Sequence, residues 1–117
     1  MNVTVVEVSG DIDVGSRDSG TSDTVAIHGR ITVQNSGEMR AALANALRSK
    51  SASLSVDLSG VSYIDTSGLA TLLEASRIAR KQGTRLILSG IHDQPRYIFE
   101  ITDLDRLFDI AGKEESA

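Results

Sequence analysis

The hydrophobic pattern along this chain changes period several times, and each change marks a predicted element. Residues 3–8 are rich in β-branched side chains and predict a first strand. A polar stretch follows, with Gly15, Ser16, Asp18, Ser19 and Gly20 giving the composition of a flexible hairpin loop. In a second strand Val25, Ile27, Ile31 and Val33 fall on one face at period two, with His28, Arg30 and Thr32 on the other. The period then becomes helical. Met39, Ala42, Leu43, Ala46 and Leu47 form one apolar stripe, and Asn35 or Ser36 can cap that helix.

Leu54, Val56 and Leu58 alternate as a third strand, which leaves through Ser59 and Gly60 and a short apolar link. Leu69, Leu72, Leu73, Ala75 and Ala79 make a second helical stripe, and Gly83 is placed to stop it. Residues 84–91 are almost continuously apolar, which predicts a strand covered on both faces. Pro95 suits the first turn of a third helix, to which Ile98, Phe99 and Ile101 add apolar contacts. Leu107, Phe108 and Ile110 predict a short last strand. Residues 112–117 are polar and are expected to fray, leaving residues 1–111 as a single domain.

Strands alternating with helices imply parallel crossings, and the opening hairpin adds an antiparallel pair. The expected fold class is therefore α/β: a mixed, mostly parallel sheet of about five strands with helices mainly on one face.

Composition narrows the function. Hydrophobic residues make up 40% and charged residues 24% of 117, which is ordinary for one globular domain. The formal charge of −4 speaks against direct nucleic-acid binding, which calls for a basic face to displace counterions. Lack of cysteine removes thiolate catalysis and cysteine-ligated metals. No apolar run reaches the length of a membrane span, and the first residues lack the pattern of a secretory signal, so a cytoplasmic protein without membrane contact is expected. His28 and His92 stand far apart without ligand-spaced partners and read as solvated or capping residues. No phosphate-cradling glycine loop and no catalytic carboxylate pair can be named, so neither cofactor nor metal is expected.

One segment carries candidate chemistry. Asp65, Thr66, Ser67 and Gly68 stand where the chain turns from the third strand into the second helix. These residue types cap helices and relieve crowding, which by itself accounts for them. A hydroxyl there is also accessible and sits at the positive end of the helix, which favours an added phosphate by about 0.3–1 kcal/mol. Both readings stand on the residues alone.

The runs Asp57-Leu58-Ser59-Gly60-Val61 and Ile64-Asp65-Thr66-Ser67-Gly68-Leu69 resemble the signature of the STAS domain family, in particular its anti-sigma factor antagonists. The resemblance extends back to residues 25–31, forward through residues 83–88, and ends with residues 98–108, covering residues 24–110. It implies a STAS-type fold and no enzymatic activity. It further implies phosphorylation at Thr66 by a partner, an anti-sigma factor with serine/threonine kinase activity of the GHKL type. The unphosphorylated form would bind that partner and free a sigma factor, and the phosphorylated form would let go, with a phosphatase to restore it. Asp65, Thr66, Ser67, Gly68 and Leu69 would form the partner-binding surface, on a monomer or weak dimer. The alternative within the family is an accessory subunit of an ABC-type lipid transport complex; outside it stands a small hydrolase using Ser or Thr with histidine. The chain departs from the family pattern at Thr32, where an acidic residue is usual, at His92 and Asp93, where Ser-Pro is usual, and at Asp103, where glycine is usual. Residues 9–23 are also longer than the usual first hairpin.

Overall fold

The computed structural model describes residues 4–10 and 22–111, and the side chains of residues 22–111. The expected loop over residues 11–21 and the expected frayed tail over residues 112–117 lie outside the described residues. The elements run β1 (Thr4–Gly10), β2 (Ser22–Ile31), α1 (Ser36–Leu47), β3 (Ser53–Ile64), α2 (Thr66–Gln82), β4 (Arg85–Ser89), α3 (Asp93–Ile101), a single 3-10 turn (Leu104–Arg106) and β5 (Asp109–Ile110). The five strands lie in the order β1-β2-β3-β4-β5. β1 and β2 are antiparallel and the remaining pairs are parallel. This is the mixed, mostly parallel α/β sheet that the alternation of periods predicts.

One face of the sheet builds the core. Val25, Ile27 and Ile31 of β2, Leu54, Val56, Leu58, Val61 and Ile64 of β3, and Leu86 and Leu88 of β4 are buried. Met39, Leu43 and Leu47 of α1 and Leu69, Leu72, Ala75 and Ala79 of α2 complete the same cluster. From α3 comes Phe99, whose ring meets Phe108 at 5.5 Å between centroids, tilted by 51°. Gly83 ends α2 in the left-handed conformation at φ 81°, which a residue without Cβ adopts at no steric cost.

Several expectations are corrected. Val33 does not continue the buried face of β2; it is 73% exposed. The strand ends at Ile31 because Asn35 folds the chain out of the sheet: Thr32 N–H donates to Asn35 Oδ1 (2.8 Å) and Asn35 Nδ2 donates to the Arg30 carbonyl (2.9 Å). Asn35 thus occupies the position before α1 without a side-chain capping bond. β3 does not stop near Leu58 but continues to Ile64, pairing with β2 through register shifts around His28 and Gly29. Those irregularities account for the broken alternation from Leu58 to Val61 to Ile64, since each extra residue moves the following side chain to the other face.

β4 is covered on one face only. Leu86 and Leu88 are buried, Ile87 is half-buried and Arg85 is exposed, forming an ion pair with Asp109 of β5. Ile101 and Leu107 are more than half exposed instead of adding to the core. The chain turns at Thr102 and Asp103 before β5, and Asp103 takes φ 62°. A short Asp tolerates that left-handed position better than most residues with a Cβ.

Candidate functional site

The parallel strands β2 and β3 end side by side, and Asp65 N–H donates to the Ile31 carbonyl at 3.1 Å. Asp65 then caps α2. Its Oδ1 accepts from Ser67 N–H (2.9 Å), Gly68 N–H (3.2 Å) and the Ser67 hydroxyl (2.6 Å), while Oδ2 accepts from Val33 N–H (3.1 Å). Burial opposes the carboxylate charge, but the bonds from the Ser67 hydroxyl and from the Gly68, Ser67 and Val33 N–H groups outweigh it and hold the Asp65 pKa below its ordinary value. The group is a fixed anion that joins two loops.

Thr66 is the first residue of α2 and is exposed, whereas Ser67 is half-buried. The cap belongs to Asp65, and the Thr66 hydroxyl has no hydrogen bond to a described residue. Ser67 spends its hydroxyl on Asp65. Gly68 and Leu69 lie beneath this rim, in the interior. A Cβ on Gly68 would sit 2.6 Å from Ile64 Cγ1 and 2.8 Å from Ile31 Cγ2, so only glycine lets α2 start so close to the two strand ends. Of the five expected residues, Asp65, Thr66 and Ser67 come together at the surface, and the side chain of Leu69 faces the core.

Two neighbours had no sequence signal as site residues. Val33, assigned by its period to the core, stands exposed on the loop that Asp65 holds. Gln94 of α3 accepts from Ile64 N–H (2.9 Å) and donates to the Ile64 carbonyl (3.1 Å), pinning α3 to the residue before Asp65. Its partner is 30 residues away, so no local pattern announces it.

The histidines are placed as follows. His28 is exposed on β2 with its ring against Gly60, where an added Cβ would collide with Nδ1. His92 precedes α3 but makes no side-chain capping bond. Its ring meets Asp93 at 2.9 Å and, at 2.8 Å, Ser59. Ser, His and Asp therefore adjoin, yet the imidazole contacts the Ser59 backbone carbonyl and not its hydroxyl, so the contact does not activate a nucleophile. Among the described residues no cluster of three or more His, Cys, Asp or Glu could hold a metal ion, and no helix is long and apolar enough to cross a membrane.

A family profile described as Mlab, STAS domain, matches residues 14–109. The chain belongs to the STAS domain family. Its sequence is 31% identical over 104 residues to the anti-sigma-B factor antagonist of Bacillus subtilis (strain 168), covering 89% of this chain and 94% of that protein. A shorter match, 49% identical over 39 residues, relates it to the intermembrane phospholipid transport system binding protein MlaB of Escherichia coli (strain K12), covering 33% of this chain and 40% of that one. In three dimensions this STAS domain superposes on the crystal structure of an anti-sigma factor antagonist from Mycobacterium paratuberculosis with a TM-score of 0.71, at 20% identity, over 95% of this chain and 86% of the other.

Proposed function

We propose that this STAS domain is an anti-sigma factor antagonist, a regulatory binding protein and not an enzyme. In this reading its unphosphorylated form binds an anti-sigma factor with serine/threonine kinase activity, of the GHKL type, and so releases a sigma factor. Phosphorylation of Thr66 ends the binding, and a phosphatase restores it. The protein works in the cytoplasm as a monomer or weak dimer, on a domain spanning residues 1–111. The observation that carries the reading is the Thr66 hydroxyl, exposed at the start of α2 beside the fixed charge of Asp65 and without a hydrogen-bond partner among the described residues. Phosphate there adds a charge of about −1.5 to −2 to a rim that Asp65 already makes negative. The fold can keep its shape while a docked partner meets a second, larger anion. The near full-length likeness to an anti-sigma-B factor antagonist supports the same role.

The test is incubation of the protein with the candidate anti-sigma kinase and ATP, followed by peptide mass spectrometry and a binding assay of the product. Phosphate on Thr66 together with loss of the complex is the expected result. Phosphate on Ser67 alone, or none, would refute the assignment. The short MlaB match gives the second reading, an accessory subunit of an ABC-type lipid transport complex that presents the same helix start to another protein. Affinity capture separates the two: a GHKL kinase supports the first, a transporter ATPase the second.

A further inference from the structure

The loop between β4 and α3 is pressed onto β3 at Ser59. Gly90 has φ 73°, and a Cβ there would lie 2.8 Å from the Ser59 N and Cβ atoms. Asp93 is also left-handed, at φ 56°, a conformation that a short Asp adopts more readily than other residues with a Cβ. Ser59 itself stands where the sheet ladder is interrupted. Pairing between β3 and β4 ends at Asp57 and Ser89, and pairing with β2 skips from Asp57 to Gly60. The Ser59 N–H is taken by Asp57 Oδ1 at 2.9 Å, and its carbonyl is taken by His92 Nε2 at 2.8 Å.

The other ring nitrogen of His92, Nδ1, lies 2.9 Å from Asp93 Oδ2. A carbonyl oxygen only accepts, and so does an ionised carboxylate. A neutral imidazole has one N–H and can satisfy one of the two; the imidazolium has two and satisfies both. We propose that His92 is a proton-dependent latch: as imidazolium it ties the start of α3 to Ser59 of β3 through two donated hydrogen bonds, and loss of one ring proton releases one tie.

The latch reaches the Thr66 site through α3. Gln94, two residues beyond His92, holds both backbone polar groups of Ile64, and Ile64 is followed by Asp65. The start of α3 is thus fastened to β3 at Ser59 and Ile64, and loosening the first point loads the second. The charged groups around the ring fit a cation. Asp93 of α3 touches it, and Asp57 of β3 binds the residue the latch holds. His28 of β2 lies against Gly60, one residue on; the backbone N–H of Arg96 donates to the His92 carbonyl, while its guanidinium is engaged with Glu100. The hydrogen bond to Ser59, then that to Asp93, raises the His92 pKa above its ordinary value; desolvation opposes this and the Asp93 charge adds to it. With the folded pKa raised, the stability contributed by the latch is fully present below the unfolded imidazole pKa and is lost as pH rises through the folded one. None of this requires that Thr66 be phosphorylated.

The test is a nuclear magnetic resonance titration of the isotope-labelled chain from about pH 5.5 to about 9, reading the His92 ring nitrogens and the backbone amides of Ile64, Asp65 and Thr66. The expected result is two protonated ring nitrogens at the acid end and a midpoint above the ordinary value of ~6.5, with the three amides shifting at the same midpoint. Asp93→Asn should lower the midpoint. His92→Gln, which offers one donor nitrogen and does not titrate, should abolish the pH dependence of the three amides while the rest of the spectrum stays folded. A midpoint at or below the ordinary value overturns the latch. Amides that stay flat in the wild type, or that still titrate in His92→Gln, overturn its link to the Thr66 site.

Discussion

The Asp65 carboxylate accepts the backbone N–H of Val33 at 3.1 Å, joining the loop after β2 to the start of α2 across 32 residues of sequence. The other oxygen of the same carboxylate caps the helix. One side chain therefore sets the relative position of the exposed apolar Val33 and the exposed hydroxyl of Thr66.

Asp65→Ala should lower stability by about 1–2 kcal/mol, since it removes the cap and leaves the Val33 N–H without its acceptor. Asp65→Asn, which keeps an acceptor oxygen, should lose less. Urea unfolding of both variants near neutral pH measures the difference. Because the folded pKa of Asp65 is depressed, its contribution is present above the unfolded carboxylate pKa and is lost as pH falls through the folded value. The gap between wild type and Asp65→Asn should therefore close in acid.

Gly68→Ala should destabilise the fold by about 1–3 kcal/mol, although alanine is the better helix former by about 1 kcal/mol. The added Cβ meets Ile64 and Ile31 side chains that are themselves fully buried and have little room to move. Thermal melts give the sign: a rise in Tm would mean that the two strand ends yield more easily than their packing implies.

Thr66→Ala should change stability by no more than about 0.5 kcal/mol, because the hydroxyl makes no capping bond and the site is exposed. It should still bind the anti-sigma partner. Thr66→Glu should remain folded, with its charge at the favourable end of α2, and bind roughly 30-fold or more weakly, the loss expected when a charge is mispaired in an interface. Titration calorimetry compares the two directly, and equal affinities would reduce Thr66 to a plain helix start.

Val33→Ser should leave stability within about 0.5 kcal/mol of wild type, because the side chain is 73% exposed. If the rim around Thr66 is the docking surface, the same substitution should weaken partner binding several-fold, with circular dichroism and melting unchanged. A variant that binds normally would place the contact away from the loop held by Asp65.

Much of this architecture was legible in the chain itself. The change from period two to helical spacing marks β2, α1, β3 and α2 in order, because burying one face of a strand or a helix leaves its own period in the sequence. Gly83 announces the end of α2, and the order Asp65, Thr66, Ser67, Gly68 announces its start, because capping is a local matter of three or four residues. Other decisions belonged to the tertiary structure. The pattern puts Val33 in the core, but the side chain of Asn35 turns the chain away after Ile31. Nothing near Leu58 predicts that β3 runs on to Ile64; that follows from pairing with β2 across a bulge. The grip of Gln94 on Ile64 and of His92 on Ser59 joins residues 30 and 33 positions apart. Local propensity acts over a few residues, whereas a hydrogen bond between distant segments depends on where packing brings their backbones, and only the folded sheet decides which carbonyls are left for a side chain to find.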